Sequence, residues 1–306
     1  MKIMLVAPRS ITKHYLNHQA FRYDYAFWNF YLALLSLGHN TFFFDTSTFD
    51  SNEFDKKFEL FKPDLIFCIM TNDRSVCPDE PWQSIEKITN KGTCKTFNWF
   101  CDDSWRFENF SSKFCNYFHF SSTTEIDMLK KYNEIGYSNI RYANWHSNND
   151  VYSNVLCQKN NLLGFIGNLN EDRKKHLSYL INNQFNVANV PNASFEDMIH
   201  LYSSSVIGLN FTKSQADGKR QMKARIFEIP ATRTLLLTEN APGIEDLFKI
   251  DEEIMTFENE KELLEKVKWV NNNLEKAMKI ISCGYERYLK DHTSQIRLQT
   301  LIGSLK

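Results

Sequence analysis

Short apolar runs recur along the chain at intervals filled by amphipathic segments, and this alternation restricts the fold more than any single motif. Ile3–Ala7, Thr41–Asp45, Asp64–Met70, Lys95–Phe100, Tyr117–Phe120 and Ile140–Ala143 each read as a strand. Most are close to continuously hydrophobic, as strands covered on both faces must be. Residues 19–37 space aromatics and leucines as a helix stopped by Gly38-His39-Asn40, and residues 81–91 form another ended at Lys91-Gly92. A third runs from Glu125 to Tyr132 with Thr124 as its cap. Such alternation predicts a doubly wound parallel sheet.

Around residues 146–160 the composition turns polar, through His146-Ser147-Asn148-Asn149-Asp150 to Asn160, and the pattern then restarts. Leu162–Ile166, Phe185–Val190, Val206–Phe211 and Thr234–Thr238 read as strands. Helices are expected at Glu171–Ile181, 220–229, 259–271, 273–290 and Ser294–Ser304. The expected architecture is α/β: two Rossmann-like domains, residues 1–150 and 151–306, whose strand C-termini face a cleft, with a helical tail.

Composition removes several function classes. Lys+Arg 36 against Asp+Glu 37 gives a net charge of −1, which does not support a nucleic-acid partner. Ten glycines are few, and neither Ala7-Pro8-Arg9-Ser10 nor Gly167-Asn168-Leu169-Asn170 supplies the glycine fingerprint of a dinucleotide fold. Seven cysteines, an odd number without C-x-x-C spacing, read as free thiols in a reducing compartment rather than disulfides or a zinc site. The N-terminus reads as a first strand, not a signal peptide, and no run is long enough to span a membrane. A cytoplasmic chain is expected.

The segment from Lys219 to Asn240 carries the most chemistry. Lys219, Arg220, Lys223 and Arg225 precede an apolar helix, and Glu228 follows Arg225 by three residues. Basic groups at a helix start suit a pyrophosphate, and a carboxylate one turn on suits vicinal ribose hydroxyls. The same spacing equally describes a solvated basic face with an Arg225–Glu228 i,i+3 pair.

With Gly164-Phe165-Ile166-Gly167-Asn168 upstream, and Gly284, His292, Thr293 and Arg297 downstream, this segment resembles the CgeB-like glycosyltransferases of the two-Rossmann glycosyltransferase B (GT-B) fold, over residues 162–303. The resemblance implies a nucleotide-diphosphate sugar as co-substrate, with no further cofactor and no metal. It implies Glu228 at the ribose and Arg225 near the diphosphate. Gly167 and Asn168 would lie beside the phosphates, with Arg173 also in the donor site. Asn240 and Gly243 would lie in the loop near the sugar. Retaining relatives carry Glu-x7-Glu, but Arg220 stands eight residues before Glu228, so the stereochemical outcome is open.

In the first domain, Asp102 and Asp103 follow the strand Lys95–Phe100 and are candidates for taking a proton from an acceptor hydroxyl; Asp103 or Ser104 as a helix cap is the alternative. His14 and His18 are further acceptor-side candidates. The aromatics Phe21, Tyr23, Tyr25, Phe27, Trp28, Phe30 and Tyr31 read as core. The function expected is transfer of a sugar from a nucleotide sugar to a glycan, protein or small-molecule acceptor. The alternatives are a sugar-nucleotide isomerase and a non-catalytic sugar- or nucleotide-binding protein.

Overall fold

The computed structural model describes residues 1–12, 20–22, 25–72, 79–153, 157–190 and 193–305. His14, His18, Tyr23 and the side chain of Phe21 lie outside that description. The chain divides into two compact units, one of Met1–Asn144 with Arg297–Lys306 and one of Trp145–Ile296.

The first unit is built on a six-stranded parallel sheet. Its strands are β1 (Lys2–Ala7), β4 (Asn40–Asp45), β5 (Leu65–Cys68), β6 (Lys95–Phe100), β7 (Phe120–Thr123) and β8 (Ile140–Tyr142), in the order β4-β1-β5-β6-β7-β8. β2 (Ser10–Thr12) and β3 (Ala20–Arg22) form a separate antiparallel ribbon. Ile3 to Ala7 are each 0% exposed, as a central parallel strand requires. Register pairs Ile3 with Thr41 on one side and Leu65 on the other. Phenylalanines fill much of the core: the tilted rings of Phe67 and Phe97 lie 4.6 Å apart, Phe44 meets Phe54 at 5.2 Å, and Phe30 meets Trp99 at 5.4 Å.

Several elements depart from the sequence reading, which leaves out the helix Ser51–Phe61 altogether. The helix expected over 19–37 starts late, as a wide turn at Phe27–Tyr31 followed by Leu32–Ser36, because Ala20–Arg22 is taken by the ribbon. The strand expected at Tyr117–Phe120 is displaced to Phe120–Thr123: Cys115–Tyr117 tightens into a 3₁₀ turn, and Ser121, Ser122 and Thr123 enter the sheet fully buried. Thr124 is not the expected cap, since the next helix is Met128–Glu134 and has no side-chain cap.

The second unit holds β9 (Asn161–Phe165), β10 (Val187–Asn189), β11 (Ser205–Asn210), β12 (Leu235–Glu239) and β13 (Met255–Phe257), all parallel, in the order β10-β9-β11-β12-β13. The edge strand β13 is absent from the sequence reading, as is the helix Phe195–Ser203, which begins with a Ser194/Asp197 capping box. Among the described residues, no helix is long and apolar enough to cross a membrane. The six described cysteines are free; Cys68, Cys94 and Cys115 are buried, Cys101 and Cys157 half-buried, and Cys283 is exposed.

The tail residues singled out by the family pattern have physical roles in this unit. His292 packs between Phe227 and Phe248, at 5.4 and 4.6 Å, and its Nε2 donates to the Leu247 carbonyl at 3.0 Å. Gly284 lies against the backbone of Glu253 so closely that a Cβ there would meet the Glu253 carbonyl oxygen at 2.2 Å. Because that neighbour is backbone, it cannot rotate away. Gly284→Ala is therefore expected to destabilise the fold by about 1–3 kcal/mol, as overpacking does. Denaturant unfolding followed by circular dichroism would measure this, and an unchanged midpoint would refute the close approach.

Candidate functional site

Because all strands of the second sheet are parallel, their C-terminal ends share one edge, and most of the expected donor residues gather there. β9 leads into Ile166-Gly167-Asn168 and then to the helix Glu171–Asn182, whose cap Asn170 accepts from the Arg173 amide at 2.8 Å. Arg173 Nη1 donates to the Asn168 carbonyl at 2.9 Å. A side chain at Gly167 would begin 3.0 Å from the Phe165 ring and 3.4 Å from Arg173 Nη1, so the glycine keeps space for the guanidinium. Arg173 Nε is buried with no hydrogen-bond partner. Burial pulls Arg173 below the usual guanidinium range, Glu239 opposes this, and Arg225 adds to it.

The helix Arg225–Ala231 supplies the second part. Glu228 is 1% exposed; its Oε1 accepts from the Tyr152 hydroxyl at 2.7 Å and its Oε2 pairs with Arg225. Burial lowers the Arg225 pKa, but the Glu228 carboxylate and Tyr202 outweigh it, and the net shift is upward. The i,i+3 pair thus exists, with Glu228 enclosed and Arg225 half-buried rather than on a fully solvated face. Arg225 Nε, like Arg173 Nε, has no partner.

The remaining basic residues are not at a helix start. The helix begins at Arg225, five residues later than the sequence predicts. The chain before it is held to the sheet edge instead. Glu239 Oε2, at the end of β12, accepts from the amides of Thr212 and Lys213 at 2.9 Å each, and Lys213 bridges back to Arg220. Arg220 pairs with Glu258, and its Nε lies 3.6 Å from Glu239. Asn240 Nδ2 also donates to Glu258, at 2.8 Å. Lys223 contacts Gln221, and Lys219 is exposed. Gly243, at φ +79°, turns the chain into the 3₁₀ segment Ile244–Asp246. A cavity of about 300 Å³ is lined by Asn170, Arg173, Lys213, Arg220, Glu239 and Glu258, among others. The sequence reading missed Glu239 and Glu258; a carboxylate at or just beyond a strand end is the only signal they carry.

In the first unit, Asp102 and Asp103 follow β6 as expected and then part company. Asp102 is half-buried and left-handed at φ +59°, a conformation that costs energy for a non-glycine residue and that concentrates at functional sites. Asp103 is 0% exposed. It accepts hydrogen bonds from the hydroxyls of Ser111 and of Tyr132, the latter at 2.9 Å. Burial raises its pKa against the pull of these bonds. It is not a helix cap: it occupies the first position of the helix Asp103–Arg106, which has no side-chain cap.

A third carboxylate, Glu80, escaped the sequence reading altogether. It is 8% exposed and accepts from the amides of Thr71 and Asn72 at 2.7 Å each and from Trp82 Nε1 at 3.1 Å. It thereby fixes the chain leaving β5. Burial pushes its pKa up to about 7, against those hydrogen bonds and the Arg106 guanidinium. Among the described residues, no group of three or more His, Cys, Asp or Glu side chains is arranged to hold a metal ion.

Residues 160–303 match a family model described as "Glycosyl transferase-like". No curated protein matches the chain. Among solved structures, a glycosyltransferase from Rickettsia africae ESF-5 superposes with a TM-score of 0.65 at 12% identity, over 100% of this chain and 97% of that one. Anabaena Alr3699/HepE in complex with UDP-glucose gives 0.64 at 10% identity, over 100% and 99%. Sucrose-phosphate synthase from Thermosynechococcus elongatus gives 0.62 at 10%, also over 100% and 99%. The chain therefore has the GT-B fold, and its segment 160–303 is glycosyltransferase-like in sequence.

Glu80 makes stability depend on pH. Its folded pKa of about 7 lies above the ordinary value of 4.5, so the protonated form favours the folded state. That contribution is complete below the unfolded pKa and is lost as pH rises through the folded one. The stability of Glu80→Gln relative to the native chain should accordingly grow from about pH 4.5 to 7, reaching about 3 kcal/mol. Parallel denaturant titrations across this range would show it, and a constant difference would rule it out.

Proposed function

We propose that this protein is a sugar-nucleotide-dependent glycosyltransferase of the CgeB-like group, binding its donor at the carboxyl edge of the second sheet. One observation carries the reading: Arg173 and Arg225 both present buried Nε groups without partners, beside the Gly167-Asn168 loop. Two unpaired guanidinium donors at a strand–loop–helix junction fit a diphosphate, which arginine holds through several charge-assisted bonds. The family match over the same residues supports it, as do the UDP and UDP-glucose complexes of the Anabaena neighbour.

In this reading, Arg225 turns from Glu228 toward the phosphates. Glu228, still held by Tyr152, accepts the ribose hydroxyls on its remaining lone pairs. Arg220, Lys223 and Lys219 supply further positive charge for the departing diphosphate, so no divalent metal and no other cofactor is required. Asn240 and Gly243 border the sugar. Asp102 takes the acceptor hydroxyl proton, and Asp103 anchors the segment that carries it. A cytoplasmic setting, from the cysteine usage, is part of the proposal.

The test is nucleoside diphosphate release from a panel of UDP-, GDP- and ADP-sugars in EDTA. Steady release from at least one donor is expected. Conversion of the sugar without net release would instead favour an isomerase, and binding without turnover a non-catalytic protein. Failure to bind any donor would remove the reading. Glu228→Gln should weaken diphosphate affinity by about 1–3 kcal/mol through the loss of bonds to a charged acceptor. Calorimetry showing unchanged affinity would dismiss Glu228. Asp102→Asn should lower turnover by about 10²–10⁴-fold with donor affinity intact; full turnover would dismiss Asp102. Turnover lost in EDTA and restored by Mg²⁺ would contradict metal independence.

A further inference from the structure

Tyr152 is 0% exposed, and its hydroxyl donates to Glu228 Oε1 at 2.7 Å, the length of a charge-assisted bond. Its ring lies edge-on to Phe195 with centroids 5.2 Å apart. The residue is set in place by its own segment. Ser147 Oγ donates to the Phe227 carbonyl at 2.9 Å, and the Tyr288 hydroxyl donates to the Ser147 carbonyl at 2.8 Å. Asn148 Oδ1 opens the helix Asn149–Tyr152, accepting from the Asp150 amide at 3.1 Å and from Gln295 Nε2 at 2.8 Å. All of these residues belong to the second unit.

The consequence of this bond is visible on the other carboxylate oxygen. Arg225 meets Glu228 through Nη1 and Oε2 alone, and its Nε has no partner. A guanidinium and a carboxylate with no other demands on them pair as a two-pronged fork, which is the stronger arrangement. Here Oε1 is already engaged by Tyr152, and the pair stays one-pronged. Arg225 keeps an unused donor, and the plane of the Glu228 carboxylate is fixed from two sides.

We infer that Tyr152 is a positioning residue that sets the preference for ribose over 2′-deoxyribose: by holding Oε1 it keeps Glu228 from closing on Arg225 with both oxygens, and so presents the carboxylate to a vicinal diol. The inference rests on the donor reading above and deepens it. Removing the hydroxyl acts twice. The carboxylate forks Arg225, which withholds the guanidinium from the phosphates of any nucleoside diphosphate. It also turns its lone pairs from the 2′-hydroxyl, which only the ribose form carries. The ribose form therefore loses on both counts and the 2′-deoxy form on the first alone.

The experiment titrates the full chain by calorimetry with UDP, GDP and ADP and with the 2′-deoxy form of each. Tyr152→Phe is compared with it, since this variant keeps the buried ring and its packing on Phe195; circular dichroism checks its fold. The native chain is expected to prefer the ribose form of the diphosphate it binds by about 10-fold. In Tyr152→Phe the ribose form should lose about 10-fold and the 2′-deoxy form about 3-fold, so the preference narrows to about 3-fold. In Glu228→Gln, where no carboxylate remains to be oriented, adding Tyr152→Phe should leave the preference unchanged. A merely structural tyrosine would lower both affinities equally. Equal losses, no loss or a wider preference in Tyr152→Phe therefore overturn the inference, as does a narrowing that persists in the Glu228→Gln background. A native chain that binds a diphosphate without distinguishing its 2′-deoxy form also overturns it, while leaving diphosphate binding in place. A chain that binds none of the six removes the donor reading itself, and this inference with it.

Discussion

A parallel strand that stops at its carboxyl edge leaves backbone amides of the following residues without ladder partners, and buried amides must be satisfied. In this protein carboxylates do it repeatedly. Asp45, ending β4, accepts from the amides of Arg9 and Ser47 at 3.0 Å each. Glu80 takes Thr71 and Asn72 beyond β5, and Glu239, ending β12, takes Thr212 and Lys213 beyond β11. Each bond is charge-assisted and stronger than a neutral one. Loops at the candidate sites are shaped by these clamps, and the position of Arg220 follows from the one at Glu239.

This also sets what could be read in advance. The apolar strands were legible because burial on both faces leaves little choice of residue, and Lys95–Phe100 appears with its expected bounds. β7 was misplaced because Ser121, Ser122 and Thr123 are polar yet buried, with Ser121 Oγ accepting from Tyr137. A strand of buried hydroxyl residues, with Ser121 paired to the distant Tyr137, has no local signature. The helix begins at Arg225 and not at residue 220 for a related reason: spacing from Arg220 onward fits a helix, but the clamp at Glu239 and the bridge from Lys213 to Arg220 hold that stretch to the sheet edge. Glu80 looks in sequence like any surface acid, and only the fold buries it.

Arg225 and Glu228 were identified from sequence together with both of their readings, donor site and ion pair. The structure contains the pair, and the two readings are compatible. A carboxylate that accepts one bond per oxygen retains lone pairs for hydroxyls, and the unpaired Nε of Arg225 is an unused donor. In sequence Gly167 is one residue of a motif; its physical reason is the space it leaves between Phe165 and Arg173.

Burial decides which of these charges can be redirected to a ligand. The Arg220–Glu258 contact is partly in solvent, with side chains 30% and 48% exposed, and pairs of that kind are worth about 0–1 kcal/mol. Turning Arg220 from Glu258 toward a phosphate therefore costs little. Glu228 is different: its side chain is 2% exposed, and stranding a buried charge without its partner costs about 3–5 kcal/mol. A bound diphosphate can draw Arg225 away only if Glu228 gains other donors at the same time. In the proposed donor site ribose hydroxyls are such donors, so phosphate and ribose recognition would be coupled through this pair. In that reading a nucleoside diphosphate satisfies both demands, whereas inorganic pyrophosphate would leave Glu228 with the Tyr152 hydroxyl alone and should bind more weakly.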